Sequence, residues 1–523
     1  SSDLGNMLRA SVTRLSGKSS VRRSWDTMFR DFNKRKHNVE RGYVRGEKIF
    51  IKINQTSGRG RLTTAVREKG NYQYPVQQSG RTRSPGLGTC ETAPYLVLEI
   101  LRQLINEVGV SQSDIAVGDP QNPTYAHNYD AWAAEFPDVI YTDRTFGTYG
   151  RTLIHQTKDD LLFYSDKYQT DKLYDIIENA DYMINVANLK PHTGTGITLT
   201  AKNHFGSQSR AGAYHLHYSH ICQLEGKTPT NPGYHKYRVL VDLMGSKYLG
   251  RNTLLYVIDG LYSGGSNEGG PPVKYFMAPF NGNWSSSIFI SQDQVALESV
   301  CYDFLRTEWN GTYSHDPSNN SLEDWPDING VDDYLHQAAD PANWPEGITY
   351  DPDNSGKPLP SLGIHEHWNN PVRKQYSRNL GKPYGIELVS IPEYLVGPGA
   401  PRMTGKQTVP EEREENSQAR LKSHENEEKT ATPSASETPG LAAKIKITSV
   451  VRRSFKEQPV PKKFIAAVLD DNNGKYFLTD AGIFNERMVR ITVDEQVEPA
   501  GSARTFAYEL SEDGPGLWFA TPD

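Results

Sequence analysis

The side chains best suited to chemistry are concentrated between residues 185 and 206. Two glycines there let backbone amides approach an anion, while lysines supply charge and threonines supply hydroxyl donors. We therefore predict an anion-binding loop, with a polar turn that caps a helix as the alternative. It is not a Walker loop, because Gly-x-x-x-x-Gly-Lys-[Ser/Thr] is absent. The predicted substrate-binding residues of this loop are Lys190, Thr193, Gly194, Gly196, Thr198 and Asn203.

Further polar residues follow predicted strands. Lys52 and Asn54 end the apolar run 48–53, Asp119 follows 115–118, and Asp259 follows 254–258. Ligands of α/β sheets gather at the carboxyl ends of parallel strands. We therefore expect these residues to lie beside the loop, and we expect Lys52 and Asn54 to bind the substrate. The alternatives are separate surface salt bridges and, for Asp259, a turn aspartate.

A cluster of lysines would bind phosphate or carboxylate, and it could depress the pKa of one ammonium enough for proton transfer. His192 or a lysine of low pKa, Lys202, would then handle the proton, and Asp119 or Asp259 would orient it. The predicted catalytic residues are thus His192, Lys202, Asp119 and Asp259.

Histidines form a second pattern. His365 and His367 have the i, i+2 spacing that points both rings to one side of an extended chain. Together with His192, His204, Asp259 or Glu366 they would hold zinc or another divalent ion. The alternative is a hydrogen-bonded surface pair.

Strands and helices alternate over the first 400 residues. Apolar strands are predicted at 48–53, 115–118, 182–186, 254–258 and 287–290, and helices at 94–108, 172–178 and 292–305. Ser291 and Gln294 have the spacing of a capping box at the last helix. This alternation predicts an α/β fold, with a mainly parallel sheet and helices on both faces.

Composition divides the chain into three parts. The sequence predicts an α/β domain over 1–396, a flexible charged linker over 397–440 and a small β-rich accessory module over 441–523. No aromatic residue lies between Tyr394 and Phe455, so the linker cannot bury enough apolar surface to offset chain entropy. Short β-prone runs fill the last part, for which we expect docking to a protein or a surface.

Overall composition excludes several classes of protein. The net charge of −6 argues against a nucleic-acid binder, and no run reaches the roughly 18 apolar residues of a membrane span. Three distant cysteines cannot ligate an iron–sulfur cluster. The chain begins with Ser1 rather than Met, so a removed signal segment and a trimmed chain both fit. We expect an exported protein, periplasmic or extracellular, with a cytoplasmic one as the alternative.

Several of these segments resemble the DUF362 family of uncharacterised proteins, over roughly residues 45–306. The central motif comprises Lys190-Pro191-His192-Thr193, Gly196, Thr198, Lys202-Asn203 and Gly206. The segments 49–54, 117–119 and 291–298 are similar to further family motifs, and 363–370 and 376–381 to the extension of a longer, exported subgroup. Some relatives carry ferredoxin-type cysteine repeats, which this chain lacks, and that weakens a redox role. The family name implies no reaction.

Together the residues and the resemblance favour an enzyme that acts on a small anionic substrate, with metal assistance left open. The competing hypothesis is a non-catalytic exported protein that binds a ligand or docks to a surface. Catalytic turnover of a bound substrate would distinguish the two hypotheses.

Overall fold

The computed structural model describes residues 2–55, 90–122, 124–144, 147, 150–192, 195–220, 231, 233–264, 272–308 and 330–391, together with the backbones of isolated strands elsewhere. The chain divides into two compact units, Ser1–Met277 with Trp284–Arg402, and Ala278–Asn283 with Met403–Asp523.

The first unit is built on a seven-stranded sheet. The strands of this unit are β1 (Ile49–Lys52), β2 (Val76–Gln78), β3 (Arg81–Arg83), β4 (Ile115–Gly118), β5 (Ile140–Asp143), β6 (Thr152–Leu153), β7 (Leu162–Phe163), β8 (Thr170–Asp171), β9 (Tyr182–Asn188), β10 (Lys190–His192), β11 (Gly196–Thr198), β12 (Thr253–Gly260) and β13 (Ser287–Ser291). The order in the sheet is β13-β12-β9-β1-β4-β5-β6. Only β13 pairs in the antiparallel direction. Three antiparallel pairs, β2–β3, β7–β8 and β10–β11, complete the unit.

Helices connect these strands. The α-helices are α1 (Ser2–Ser16), α2 (Val21–His37), α3 (Pro94–Arg102), α4 (Ala126–Ala133), α5 (Asp175–Glu178), α6 (Thr200–Asn203), α7 (Val239–Gly245), α8 (Gln294–Glu308) and α9 (Asp333–Ala339). A π-helical segment, Gln103–Val108, extends α3, and 3-10 turns lie at Gln112–Asp114, His204–Gly206, Ala211–Ser219, Gly250–Asn252 and Pro341–Asn343. None of the helices in the described part of the chain has the length and hydropathy needed to cross a membrane.

Helices cover both faces of the sheet. Alternate residues of β1, such as Ile49 and Ile51, pack in one apolar core with Trp25 of α2 and Leu101 of α3. Because side chains alternate along a strand, the residues between them face the opposite side. There Asn185 of β9 donates from Nδ2 to the Thr200 carbonyl of α6 at 3.0 Å. The predicted α/β fold with a mainly parallel sheet is therefore confirmed.

Two local features differ from prediction beyond shifts of a few residues. The helix predicted at 172–178 is reduced to the four residues of α5, since Tyr174 before it forms an antiparallel bridge with Gln156. The capping box at Ser291 and Gln294 is wrong as well. Asp293 caps α8 instead, accepting from the Ala296 amide at 2.9 Å, while Ser291 accepts the Asp293 amide at 2.9 Å.

In the second unit the structure describes the backbones of β14 (Lys444–Val451), β15 (Val468–Asp470), β16 (Tyr476–Leu478), β17 (Met488–Asp494), β18 (Arg504–Leu510) and β19 (Trp518–Pro522). Four of them form an antiparallel sheet in the order β14-β17-β18-β19. The predicted linker 397–440 lies outside the described residues, and the boundaries and docking role of the β module stay predictions.

Candidate functional site

A buried ion pair lies at the carboxyl edge of the sheet. Lys52 ends β1 and is paired with Gly118 of β4, so Asp119 follows directly beside it. The Lys52 Nζ lies 3.2 Å from Asp119 Oδ1, and neither side chain is exposed. Burial lowers the pKa of Lys52, and the neighbouring Asp119 carboxylate offsets part of that effect. The other Asp119 oxygen accepts the Gln55 amide at 2.9 Å, so this carboxylate also fixes the chain after β1.

Amide side chains connect this pair to the second lysine. Lys52 Nζ donates to Asn203 Oδ1 at 3.1 Å, and Asn54 Nδ2 lies 3.3 Å from the same oxygen. Lys190 Nζ in turn donates to Asn54 Oδ1 at 3.3 Å and to the Cys90 carbonyl at 2.7 Å. The structure thus brings together Lys52, Asn54, Lys190, Asn203 and Asp119, all predicted to meet at this edge.

Gly206 closes the network from the side of the loop. A Cβ at this position would lie 2.3 Å from Asp119 Oδ1 and 2.9 Å from Lys52 Nζ. Since real Cβ atoms essentially never approach other atoms so closely, the backbone can pass here only as glycine.

Helix α8 holds α6 in place. The Glu298 carboxylate accepts the Thr200 hydroxyl, the Ala201 amide at 2.5 Å and the Tyr334 hydroxyl at 2.5 Å. Gln294, one turn earlier, donates to the Thr200 hydroxyl at 3.1 Å. Glu298 was predicted only as part of a family helix motif, and its role in positioning the 200–206 segment was missed. The signal that could have indicated this role is the buried position of Glu298 in the helix that follows the last strand of the sheet.

The β10–β11 hairpin contributes the second wall of the site. Lys190 is paired with Thr198, so both side chains lie on the same face of the hairpin. His192 is paired with Gly196, which has φ +80° and where a Cβ would lie 2.6 Å from Val331. The predicted residues Thr193 and Gly194 lie outside the described residues.

Three polar side chains at this edge are buried without a hydrogen-bond partner among the residues that the structure describes. The Thr198 hydroxyl has none there, and neither has any polar atom of the Asn188 and Gln55 amides. Their exposures are only 4%, 1% and 0%. An unsatisfied buried polar group costs about 1–3 kcal/mol, so these groups are expected to serve something the protein binds.

His192 and Lys202 lie in a cluster of rings. His192 Nδ1 accepts the Thr195 amide at 3.2 Å, which places the proton of the neutral ring on Nε2. The His192 ring meets that of His220 edge-on at 5.8 Å, and Phe205 stacks on His220 at 5.4 Å. The Lys202 ammonium lies 3.8 Å from the centre of the Phe205 ring. Burial and nearby cations, Lys202 and His192 among them, lower the pKa of His220 well below its usual range.

Asp259 has a structural role in the described contacts. Its two oxygens accept the amides of Ala93, at the start of α3, and Leu261, at 2.7 and 3.0 Å. Burial raises the pKa of Asp259 to about 6, against the opposing effect of these amides and of Lys190. It lies in register with Asn188, at the same edge as the other predicted residues.

The two predicted metal ligands lie in a different cluster. His365 Nε2 is 3.4 Å and His367 Nε2 is 3.1 Å from the same oxygen of Asp332, and His336 Nε2 is 3.4 Å from it. Burial lowers the pKa of His367, but its hydrogen bonds to Asp303 and Asp332 raise it to about 9.

The other residues named as partners for those two histidines have separate contacts. Glu366 accepts the Ser377 hydroxyl and the Ile386 amide. His204 is hydrogen-bonded to Asn185 at 3.0 Å, and burial, with Lys52, lowers its pKa to about 3. Neither His192 nor Asp259 belongs to the Asp332 cluster. The sequence analysis missed Asp332 and His336, although their i, i+4 spacing on a helix was visible.

The fold and the edge network define an α/β protein with a buried polar site beyond the carboxyl ends of parallel strands. Residues 89–303 match the model of DUF362, a domain of unknown function, which confirms the resemblance over that part of the chain. Lys52 and Asn54 precede the matched residues. No curated protein and no solved structure matched the chain.

Proposed function

We propose that the protein is an enzyme that binds a small anionic substrate, bearing phosphate or carboxylate, at the carboxyl edge of the sheet. Lys190 and Lys202 supply the positive charge, and His192, whose Nδ1 is held by the Thr195 amide, moves a proton through Nε2. Lys52 and Asp119 are positioning residues, since their contacts are with each other and with the surrounding chain.

The observation that carries this proposal is a group of buried donors around Lys190 that have no partner in the described part of the chain. Thr198 faces the same side of the hairpin as that lysine, and Asn188 precedes it by two residues. Gln55 follows Asn54, which accepts from the Lys190 ammonium. Hydroxyl and amide donors next to an ammonium are the groups that bind an anion. If the protein bound nothing here, apolar side chains in place of these three polar ones would make it more stable.

The test is the substitution Thr198→Val, which keeps the shape and removes the hydroxyl. The variant should melt at or above the wild-type temperature while its affinity for the anion falls about tenfold, as for one lost hydrogen bond. Binding is measured by calorimetry against inorganic phosphate and a panel of phosphate- and carboxylate-bearing metabolites.

The matched control is Thr253→Val, since the buried Thr253 hydroxyl has a partner, the Leu249 carbonyl at 2.9 Å. It should lose about 1 kcal/mol of stability and bind as wild type. Wild-type affinity in the Thr198 variant, or no binding of any panel member by the folded wild type, would contradict the proposal.

A non-catalytic ligand-binding protein is the second candidate. It is favoured by the commitment of the predicted carboxylates to the fold, since both oxygens of Asp119 and of Asp259 have partners. Incubating the full chain with each bound panel member and following products by mass spectrometry separates the two. Saturable binding without conversion, across pH and with added metals, would favour the binding protein.

A further inference from the structure

We propose a binding site for a divalent transition-metal ion, with zinc as the best fit, formed by Asp332, His336 and His365, with His367 as the nearest fourth donor. The site does not depend on the proposed anion-binding function. Asp332 directly precedes α9 and His336 lies on its first turns, whereas both other histidines come from the segment 364–368. Two elements distant in sequence therefore converge on one carboxylate oxygen.

The spacing of the donor atoms fits a metal better than hydrogen bonds. The Nε2 atoms of His336 and His365 are each 3.4 Å from Asp332 Oδ2, beyond the usual range of an N–H···O bond. In a tetrahedral zinc site with bonds of about 2.0–2.1 Å, neighbouring ligand atoms are about 3.3 Å apart. One ligand atom from each of these three residues lies within 4.8 Å of the other two. The distances from Asp332 Oδ2 to both histidine nitrogens are therefore already those between zinc ligands.

The protonation of His365 is the second argument. Ser299 donates its only hydroxyl proton to the Val295 carbonyl at 2.7 Å. The His365 Nδ1, 2.8 Å from the Ser299 oxygen, must therefore be the donor in that contact. In the neutral ring this leaves a lone pair on Nε2.

That lone pair is buried next to a carboxylate. The His365 side chain is 3% exposed, and its Nε2 has no hydrogen-bond partner among the described residues, although Asp332 Oδ2 is 3.4 Å away. Two acceptors that face each other away from water repel, unless a cation lies between them. A zinc ion bound by Nε2 and Oδ2 would remove the repulsion and give His365 Nε2 the partner that it lacks among the described residues.

Outer contacts hold the donors in orientations suited to a metal. Tyr234 donates to the other Asp332 oxygen at 2.8 Å, so that Oδ2 is the oxygen that faces the three histidines. The Asp303 carboxylate binds His367 Nδ1 at 2.9 Å and directs its Nε2 towards Asp332. Carboxylate, hydroxyl and carbonyl partners on the far nitrogen are typical of metal-binding histidines.

The cluster is open on one side. The His336 side chain is 40% exposed, whereas those of Asp332 and His365 are 3% exposed. An ion can therefore enter past His336 without unfolding the loop. Nitrogen-rich donor sets of this kind select zinc and its neighbours over magnesium or calcium, which prefer oxygen.

The experiment uses the full chain without a histidine tag. After removal of metal with a chelator, zinc titration by calorimetry should give one site per chain, and cobalt should give the visible absorption of a tetrahedral complex. His336→Ala and His365→Ala should each lower zinc affinity at least 100-fold. Ser299→Ala, which leaves the ligands intact, should lower it about 10- to 100-fold through loss of the outer contact.

The exposed His155 provides the control, and His155→Ala should bind zinc as wild type. His336→Ala keeps the test valid if His365→Ala does not fold, because the half-exposed His336 has less packing to lose. Far-UV circular dichroism verifies each fold. Equal zinc binding in folded His336→Ala and wild type would mean adventitious surface binding, and no binding by the folded wild type would equally overturn the site.

Discussion

Gly206 passes directly behind the buried pair Lys52–Asp119, and its lack of a side chain follows from that position. A Cβ there would lie 2.3 Å from Asp119 Oδ1. We expect Gly206→Ala to destabilise the protein by about 1–3 kcal/mol, because a packed interior accommodates an extra methyl group only by strain. Chemical denaturation measures the loss.

A double-mutant cycle identifies the cause of that loss. Asp119→Ala alone should cost about 3–5 kcal/mol, since it leaves Lys52 buried without its counter-ion. It also removes the oxygen nearest to the added methyl group. The double variant should therefore lose at least about 0.5 kcal/mol less than the sum of the single losses. Strictly additive losses would show that the contact with Asp119 is not what excludes alanine.

Asp259 predicts a dependence of stability on pH. Burial raises the pKa of its carboxyl to about 6 in the native protein, from the 3.8 of an exposed aspartate. Between pH 4 and 6 the native state therefore binds more protons than the unfolded state, and the free energy of unfolding falls as pH rises. The loss amounts to about 2 kcal/mol over this window and to about 3 kcal/mol over the whole titration.

Asp259→Asn isolates this effect from other titrating groups. The wild-type free energy of unfolding minus that of the variant should fall between pH 4 and 6 and level off above pH 7, as measured by urea denaturation at each pH. A difference that stays constant over the whole range, or rises, would contradict the raised pKa.

At the scale of elements, α8 positions the 200–206 segment through one carboxylate. Glu298→Gln keeps the size of the side chain but replaces an acceptor oxygen by a donor, so the Thr200, Ala201 and Tyr334 bonds cannot all persist. We expect a loss of about 1–3 kcal/mol and faster amide hydrogen exchange in residues 200–206, followed by mass spectrometry.

The same helix offers a matched control. Glu308, also buried, accepts the Phe276 and Met277 amides, both at 2.7 Å, away from α6. Glu308→Gln should lose comparable stability and leave exchange in 200–206 unchanged. If hydrogen exchange in residues 200–206 were accelerated equally in both variants, a general loosening of the structure, and not the Glu298 contacts, would control that segment.

Prediction from sequence succeeded where hydrophobic pattern and chain direction decide the outcome. The apolar runs at 48–53 and 115–118 contain neighbouring strands, and a parallel sheet places their ends together, so Lys52 and Asp119 were correctly expected to meet. Prediction failed where a contact between residues distant in sequence determines the structure. Nothing local indicates that Asp332 faces His365, because that arrangement depends on how separate elements pack. The cap of α8 is a local contact, and there the wrong one of two nearby polar residues, Ser291 and Asp293, was chosen.

At the scale of the whole molecule, the structural unit is larger than the matched domain. The family match covers 89–303, whereas β1, at the middle of the sheet between β9 and β4, precedes it. Helices α1 and α2 also precede it and supply Leu8, Trp25 and Phe29 to the core. Asp332 and the histidines near it follow it.

A fragment of residues 89–303 should therefore not fold by itself. Without β1, both β9 and β4 lose a neighbour in the sheet, and the core loses several fully buried large side chains, each worth about 3–5 kcal/mol when truncated. That sum exceeds the 5–15 kcal/mol by which domains are stable. A chain of residues 1–391 keeps every strand of the sheet and should unfold cooperatively on heating. Far-UV circular dichroism melts of the two chains make the comparison, and a cooperative transition in the shorter one would show that β1, α1 and α2 are additions to a domain complete without them.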